Sequence, residues 1–202
     1  MGLFSKGHRS QKRITAEVCV HHLWFDESCY QELGTKIKCN PAIKGANDKS
    51  ALIKAVNENR IDVIATDHAP HTIAEKGKTY FKAPAGMPIV EHVMLCLFDM
   101  ADDGLFDYER IVDKTAHAPA DIFGVVDRGY VREGYFADLV LMDPHKPTNV
   151  QSADLFAKCH WSPFEGHTFR SNVDTTIVNG TENSIHTLSP AVDAFPAKPT
   201  KT

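Results

Sequence analysis

The sequence contains no long apolar run, no block of basic residues and no closely spaced pair of cysteines. A helix that spans a bilayer needs about 20 consecutive apolar residues, so no membrane span is predicted. The net charge of −4, without a cluster of lysine and arginine, does not favour a nucleic-acid-binding surface. The five cysteines are odd in number and show no C-x-x-C spacing, which favours free thiols in a reducing cytoplasm over a disulfide framework.

Composition divides the chain into four parts. Residues 1–13 form a basic leader that lacks the apolar stretch of a signal peptide. From residue 14 to residue 128, strand-like and helix-like stretches alternate. Residues 129–180 are punctuated by glycine and rich in short alternating strands, which predicts a small β domain. Residues 181–202 combine proline, threonine and serine with little apolar periodicity, and we expect them to be disordered.

The strongest local pattern is an apolar, β-branched run that ends in ionisable residues. Residues 61–66 (IDVIAT) are predicted as a strand and continue directly into 67–71 (DHAPH). An earlier strand is predicted at 14–20 (ITAEVCV), and a helix over 48–60 lies between the two. This order predicts an α/β fold with a parallel sheet. In such sheets, functional residues gather at the carboxyl ends of the strands.

Two longer helices are predicted in the following segment. One begins at Pro88 and ends before Gly104. The other covers residues 107–125 and is interrupted near Pro119. The aromatic-rich stretch at 160–170 is typical of side chains that pack a small β domain.

Asp67 and His71 are the first candidate site residues. An aspartate at the end of a buried strand can bind a metal cation or act as a general base, and His71 can reach the same cavity. Alternatively, Asp67 caps the next turn and the histidines of this motif lie on the surface. Local periodicity leaves both interpretations open.

Asn40 and the Ala85-Gly86 pair are further candidates. Asn40 follows a short predicted strand at 36–39 and precedes Pro41. Its carboxamide can donate and accept hydrogen bonds, which suits recognition of an amide or carboxylate, although a turn-forming asparagine is the more ordinary role for this pattern alone. The backbone N–H groups near Ala85 and Gly86 can bind an anion, or they belong to a plain loop.

The remaining candidates are histidines with less informative spacing. Glu17, His21 and His22 lie on or beside the first predicted strand. On an extended segment, neighbouring side chains point to opposite faces, so at most one of the two histidines would face a given cavity. A histidine pair in the core or on the surface is the alternative. His92 and His117 are expected to be structural.

Six segments together resemble the carboxyl-terminal part of a dihydroorotase, a cyclic amidohydrolase of the amidohydrolase superfamily. Four match its motifs in order and spacing: AEVCVHHL (16–23), KCNPAIK (38–44), IDVIATDHAPH (61–71) and KAPAG (82–86). The other two, KTAHAPADIFGVVDRGYVREGYFADLVLMDP and WSPFEGHTFRSNVDTTIVNG, resemble the exit from the barrel and the end of the small β domain. The similarity covers approximately residues 12–180.

The resemblance implies a fold and a reaction. Residues 14–128 would hold the last two βα units of a metal-dependent (β/α)8 barrel, and 129–180 would form part of a composite β domain. The reaction would be zinc-dependent, reversible hydrolysis of the cyclic amide of dihydroorotate to carbamoyl aspartate in pyrimidine biosynthesis.

The resemblance also assigns roles to the candidate residues. Asp67 would touch the metal of a binuclear zinc centre and move a proton. The residues that would bind the small-molecule substrate are Asn40, His71, Ala85 and Gly86.

The departures from the family pattern concern the metal. The family uses an H-x-H pair on its first strand, and no H-x-H occurs here. Lys44 stands where an arginine is usual, and Val20 where many members have proline. Since catalytic zinc sites usually have three protein ligands, this chain is expected to be incomplete alone. The alternatives are a non-catalytic fragment or scaffold subunit, with a homodimer or a complementing chain as partner, and an allantoinase- or dihydropyrimidinase-type hydrolase.

Overall fold

The computed structural model describes residues 3–184. Their first part combines helices with a parallel pair of strands, and their second part consists mainly of antiparallel strands. The first part contains β1 (Glu17–Cys19), α1 (Val20–Trp24), α2 (Tyr30–Leu33), α3 (Ala46–Asn57), β2 (Val63–Ala65), α4 (Ile73–Lys76), α5 (Val93–Asp102), α6 (Tyr108–Val112) and α7 (Ala118–Phe123). The second part contains β3 (Leu139–Asp143), β4 (Thr148–Asn149), β5 (Thr168–Phe169), β6 (Asn172–Val178) and β7 (Thr181–Ser184). Short 3-10 helices cover Arg9–Gln11, Glu27–Cys29, Gly34–Ile37, Val90–His92 and Ser152–Asp154.

The two strands of the first part pair in parallel, as the sequence predicts. β1 and β2 lie side by side with Val18 opposite Ile64, and both of these side chains are buried. Each strand is shorter than predicted. β1 ends at Cys19 because the chain turns there directly into α1. The carboxyl ends of both strands therefore point to the same edge of the sheet.

Residues 36–39 do not form the predicted strand. The segment Gly34–Ile37 is a 3-10 helix, and the carbonyl of Lys38 accepts a hydrogen bond from the Gly86 N–H at 2.9 Å. This backbone bonds to a distant loop instead of a neighbouring strand, which local β propensity could not reveal. The prediction of a strand here was wrong.

The predicted helices are present, with shifted ends. α3 begins at Ala46 after Gly45, so Asp48 lies in its first turn and is not the capping residue. α5 ends at Asp102, before Gly104, in agreement with the sequence. The second long helix consists of α6 and α7, joined by a π-helical turn over Asp113–His117. Pro119 lies in the first turn of α7, where its missing N–H is tolerated.

The second part contains two small antiparallel sheets. β6 lies between β3 and β7, and β4 pairs with β5. Aromatic side chains join this part to the first: Trp24 lies edge-on to Phe164 at a centroid distance of 5.7 Å, and both contact Phe169. Of the tail predicted to be disordered, residues 181–184 form β7, and residues 185–202 lie outside the described residues.

The basic leader packs onto the first part. Arg9 donates hydrogen bonds to Asp113 and Asp121, each at 2.7 Å. Lys12 and Asp62 form a buried ion pair at 2.6 Å. Over residues 3–184, no helix has both the length and the apolarity required to span a bilayer.

Candidate active site

A cavity of about 700 Å³ opens at the carboxyl ends of β1 and β2. Two predicted site residues, Asn40 and Asp67, line it together, and Lys44 lies in the same wall. The full lining consists of Glu17, Val18, Cys19, His22, Asn40, Pro41, Ala42, Lys44, Asp48, Ala51, Leu52 and Asp67. The cavity thus combines carboxylates, an amide, a thiol, an imidazole and an ammonium group over an apolar base.

Asp67 occupies an unusual backbone conformation two residues after β2. Its φ of 46° is left-handed, a region that non-glycine residues enter rarely and aspartate more readily than most. The side chain is exposed to the cavity. The negative charge of Asp67 affects two nearby thiols. Burial, and then the charge of Asp67, raises the pKa of Cys19 to about 12. Burial and Asp67 also contribute to raising the pKa of Cys39 to about 11.

His71, Ala85 and Gly86 form a second group. The Nε2 of His71 donates a hydrogen bond to the Ala85 carbonyl at 3.0 Å. Gly86 has a φ of +129°, and a Cβ built on it would lie 2.6 Å from the Ala69 carbonyl oxygen. Only glycine therefore fits there without displacing the backbone. The three predicted substrate-binding residues contact one another, but they are not part of the cavity wall formed by Asn40 and Asp67.

Lys76 supports this second group through hydrogen bonds to its backbone. It was not identified from the sequence. It is fully buried, and its Nζ donates to the carbonyls of Gly86 at 2.9 Å and Pro84 at 3.0 Å. Burial, and then the charge of Lys38, lowers the pKa of Lys76 to about 8. The T-x-x-E spacing of Thr72 and Glu75, which form a capping box, marks the start of α4 but gives no sign that Lys76 is buried.

The adjacent histidines lie on α1 and not on an extended segment, so the geometric premise for them was wrong. His22 lines the cavity, and its Nε2 donates to the Pro41 carbonyl at 2.8 Å. His21 is buried, and neither ring nitrogen has a hydrogen-bond partner among residues 3–184. Burial, and then His22, lowers the pKa of His21 to about 3; the Thr66 backbone opposes this shift but is not in hydrogen-bonding geometry.

The other histidines have packing partners. The Nδ1 of His68 accepts hydrogen bonds from the backbone N–H groups of Ile89 and Val90, at 3.1 and 3.2 Å. His92 packs against Phe164, and His117 stacks on Tyr130. These contacts hold the three rings in place, and the Nδ1 of His92 is buried without a hydrogen-bond partner within residues 3–184.

Comparison with known proteins shows the family. The sequence profile of the Amidohydrolase family matches residues 11–182. The chain belongs to this amidohydrolase family. It is 42% identical to a dihydroorotase from Halobacterium salinarum over 76% of this chain and 36% of the relative. It is 35% identical to a dihydroorotase from Methanothermobacter thermautotrophicus over 83% of this chain and 38% of the relative.

A solved amidohydrolase-type structure shows the same fold. The L-hydantoinase (dihydropyrimidinase) from Arthrobacter aurescens matches with a TM-score of 0.81 and 24% identity, over 86% of this chain and 40% of that one. The chain therefore has the fold of one part of such a barrel, together with part of the small β domain. It spans about two fifths of the length of the relatives that it matches.

The zinc centre suggested by the resemblance can be tested against the residues present. A catalytic zinc site usually has three protein ligands. Within residues 3–184, Asp67 belongs to no group of three or more His, Cys, Asp or Glu side chains close enough to share an ion. The described residues therefore do not provide a complete zinc site around Asp67.

Proposed function

We propose that this chain carries part of a dihydroorotase active site, which interconverts dihydroorotate and carbamoyl aspartate in pyrimidine biosynthesis. One observation carries the proposal: Asn40 and Asp67 line one cavity at the carboxyl ends of two parallel strands. The dihydroorotase name of the relatives supports the choice of substrate. The hydantoinase and dihydropyrimidinase neighbours are similar in fold, and they support only the alternative of another cyclic-amide hydrolase.

Each proposed residue has a role that its chemistry allows. The carboxylate of Asp67 accepts a proton from the attacking water and passes it to the ring nitrogen as the amide bond breaks. The carboxamide of Asn40 donates and accepts hydrogen bonds, and so orients the substrate. His71, Ala85 and Gly86 form the group proposed to bind the substrate's carboxylate. In this structure the His71 Nε2–H and the Gly86 N–H donate to the Ala85 and Lys38 carbonyls, so the carboxylate would have to displace those bonds.

The proposed metal is zinc, which polarises an amide carbonyl and activates water when bound. Asp67 is the ligand that this chain would contribute. Because residues 3–184 of a single copy do not complete that site, the remaining ligands would come from beyond these residues or from another polypeptide. A complementing chain or a homodimer is the proposed source.

The test is hydrolysis of dihydroorotate by the purified chain with added Zn²⁺, with carbamoyl aspartate as the measured product. We expect Asp67→Asn to lower kcat/KM by about 100-fold or more, because proton transfer by a placed side chain contributes on that order. Asp127→Asn is the matched control, since Asp127 also has a left-handed φ, of 57°, and lies outside the cavity. Equal activity in the two variants would contradict the role of Asp67.

A second candidate function is a non-catalytic subunit that completes or supports another chain. The lack of a ligand group around Asp67 within residues 3–184 favours it. Calorimetry with dihydroorotate separates the two. Binding that Asn40→Ala weakens, without turnover, supports the second function. If the chain shows no binding and no turnover, the substrate assignment itself is refuted.

We also propose a cytoplasmic location. All five cysteines are free thiols in the structure. Reduced thiols of this kind persist in a reducing compartment. Labelling of thiols in intact cells followed by mass spectrometry would test this, and a disulfide between any two of them would contradict it.

A further inference from the structure

Three metal-binding side chains meet where β1 turns into α1. A thiol sulfur and two imidazole nitrogens, from Cys19, His21 and His22, lie within 4.8 Å of one another. Cys19 immediately precedes the helix, and His22 follows it by three residues, so both project from the same side of the first turn. The two imidazole rings are 4.3 Å apart between centroids.

His21 provides an independent sign that a ligand belongs here. Only 1% of this residue is exposed, yet neither Nδ1 nor Nε2 has a hydrogen-bond partner within residues 3–184. Buried polar atoms are nearly always paired, because an unpaired one loses its hydrogen bonds to water without replacing them. A cation bound to one ring nitrogen would provide the missing partner.

His22 has the hydrogen bond that is typical of a metal-binding histidine. Its Nε2 donates to the Pro41 carbonyl at 2.8 Å, so the lone pair of the neutral ring is on Nδ1. Metal-bound histidines almost always use the other ring nitrogen in this way, which fixes the tautomer and the ring orientation.

We propose that Cys19, His21 and His22 form a binding site for a thiophilic cation of the Zn²⁺ class. A thiolate with two imidazoles suits Zn²⁺ better than the hard cations Mg²⁺ or Ca²⁺, which prefer oxygen ligands. The carboxylates of Glu17 and Asp67 act electrostatically on Cys19, and their negative charge also attracts a cation.

Binding has a defined chemical balance. The Cys19 S–H bond breaks, a sulfur–metal bond forms, and one proton leaves to solvent for each ion bound. The two histidines coordinate in their neutral forms and release no proton. Tetrahedral zinc with bond lengths of about 2.0–2.3 Å places ligand atoms about 3.5 Å apart, so the side chains must move together by roughly 1 Å.

The experiment is titration of the reduced, metal-free chain with Zn²⁺ by calorimetry, and with Cd²⁺ to record thiolate-to-metal absorption. We expect one ion per chain and a thiolate band with Cd²⁺. Cys19→Ser and His21→Phe should each weaken binding by about 10-fold or more. Cys159→Ser, which changes a half-buried thiol elsewhere in the chain, is the matched control and should bind normally.

Two further variants keep the result decisive. His22→Gln removes the third ligand and replaces Cys19→Ser if that variant does not fold. Asp67→Asn should retain the ion, which separates this site from the role proposed for Asp67. The proposal fails if no ion binds, if the thiolate band is absent, if the ligand variants bind as tightly as the wild type, or if Asp67→Asn alone abolishes binding.

Discussion

At the scale of single residues, Lys76 has the least ordinary environment among the groups near the candidate site. Its ammonium is enclosed by main-chain carbonyls, with the Trp161 ring 5.9 Å away, and it has no carboxylate among its hydrogen-bond partners. A buried cation without a counter-charge is disfavoured, which is why its pKa falls from 10.5 to about 8. Lys76 therefore holds the loop of Gly86 through hydrogen bonds, and its burial lowers the affinity of its amine for a proton.

The pH dependence of stability should show this cost. The folded pKa is lower than the unfolded one, so between about pH 8 and 10.5 the unfolded chain binds more protons, and raising the pH stabilises the fold. In urea unfolding, wild type should gain stability relative to Lys76→Met across this window. Other titrating groups are shared by both proteins and cancel.

Lys78 provides the control for this measurement because it is exposed and lies two residues away. Lys78→Met removes an exposed lysine of the same segment, and the pH dependence of Lys76→Met is measured against it. A constant difference between the two variants would show that the buried ammonium keeps its normal affinity for protons.

The sequence placed Asn40 and Asp67 in one candidate site because both belong to recognisable motifs, although only Asp67 follows a strand in the structure. Lys76 could not be found in that way. Lysines in a polar stretch are normally exposed, and its burial depends on carbonyls of residues 38, 84 and 86, which only the folded chain brings together. The unpaired nitrogens of His21 could not be predicted from the sequence either, because the position of this ring depends on β1 ending at Cys19 and α1 beginning at Val20.

At the scale of elements, the junction between α7 and the antiparallel part depends on one close approach. Gly129 has a φ of +80°, and a Cβ there would meet the Cβ of Ala120 and lie 2.9 Å from the carbonyl oxygen of Ala116. Gly129 therefore packs directly against Ala116 in the π-helical turn and Ala120 in α7. The sequence marked this boundary by a change of composition at residue 129, but not its packing.

Two glycine variants separate strain from crowding at this junction. Gly134 has a φ of +82° and open space around its Cα, so Gly134→Ala should cost only the left-handed backbone term of about 1–2 kcal/mol. Gly129→Ala adds an overlap, which costs about 1–3 kcal/mol more. The difference is measured from urea midpoints, and equal losses for the two variants would argue against the close contact.

At the scale of the whole molecule, the leader is part of the folded structure. Lys12 and Asp62 are almost completely buried, with 2% and 1% of their side chains exposed, and Asp62 also accepts from the Ala16 N–H at 3.1 Å. Removal of one partner from a buried pair typically costs about 3–5 kcal/mol, because the other charge remains without compensation.

Lys12→Met should therefore lower the free energy of unfolding by about 3–5 kcal/mol. Lys6→Met, which removes the exposed pair of Lys6 with Glu58, should leave it nearly unchanged, because water and salt screen exposed charges. Adding Asp62→Asn to Lys12→Met should recover much of the loss, since the carboxamide oxygen can still accept from Ala16 without a charge. Failure of the double variant to recover stability would point to lost packing instead of lost charge.

The indole of Trp161 connects the antiparallel part to the candidate site, since its Nε1 donates to the His71 carbonyl at 2.7 Å. The other of the two tryptophans, Trp24, lies among the aromatic rings that join the two parts. In a Trp24→Phe background, the ultraviolet emission of Trp161 would come from beside Lys76 and His71. The chain thus contains its own optical reporter of the loop proposed to hold the substrate.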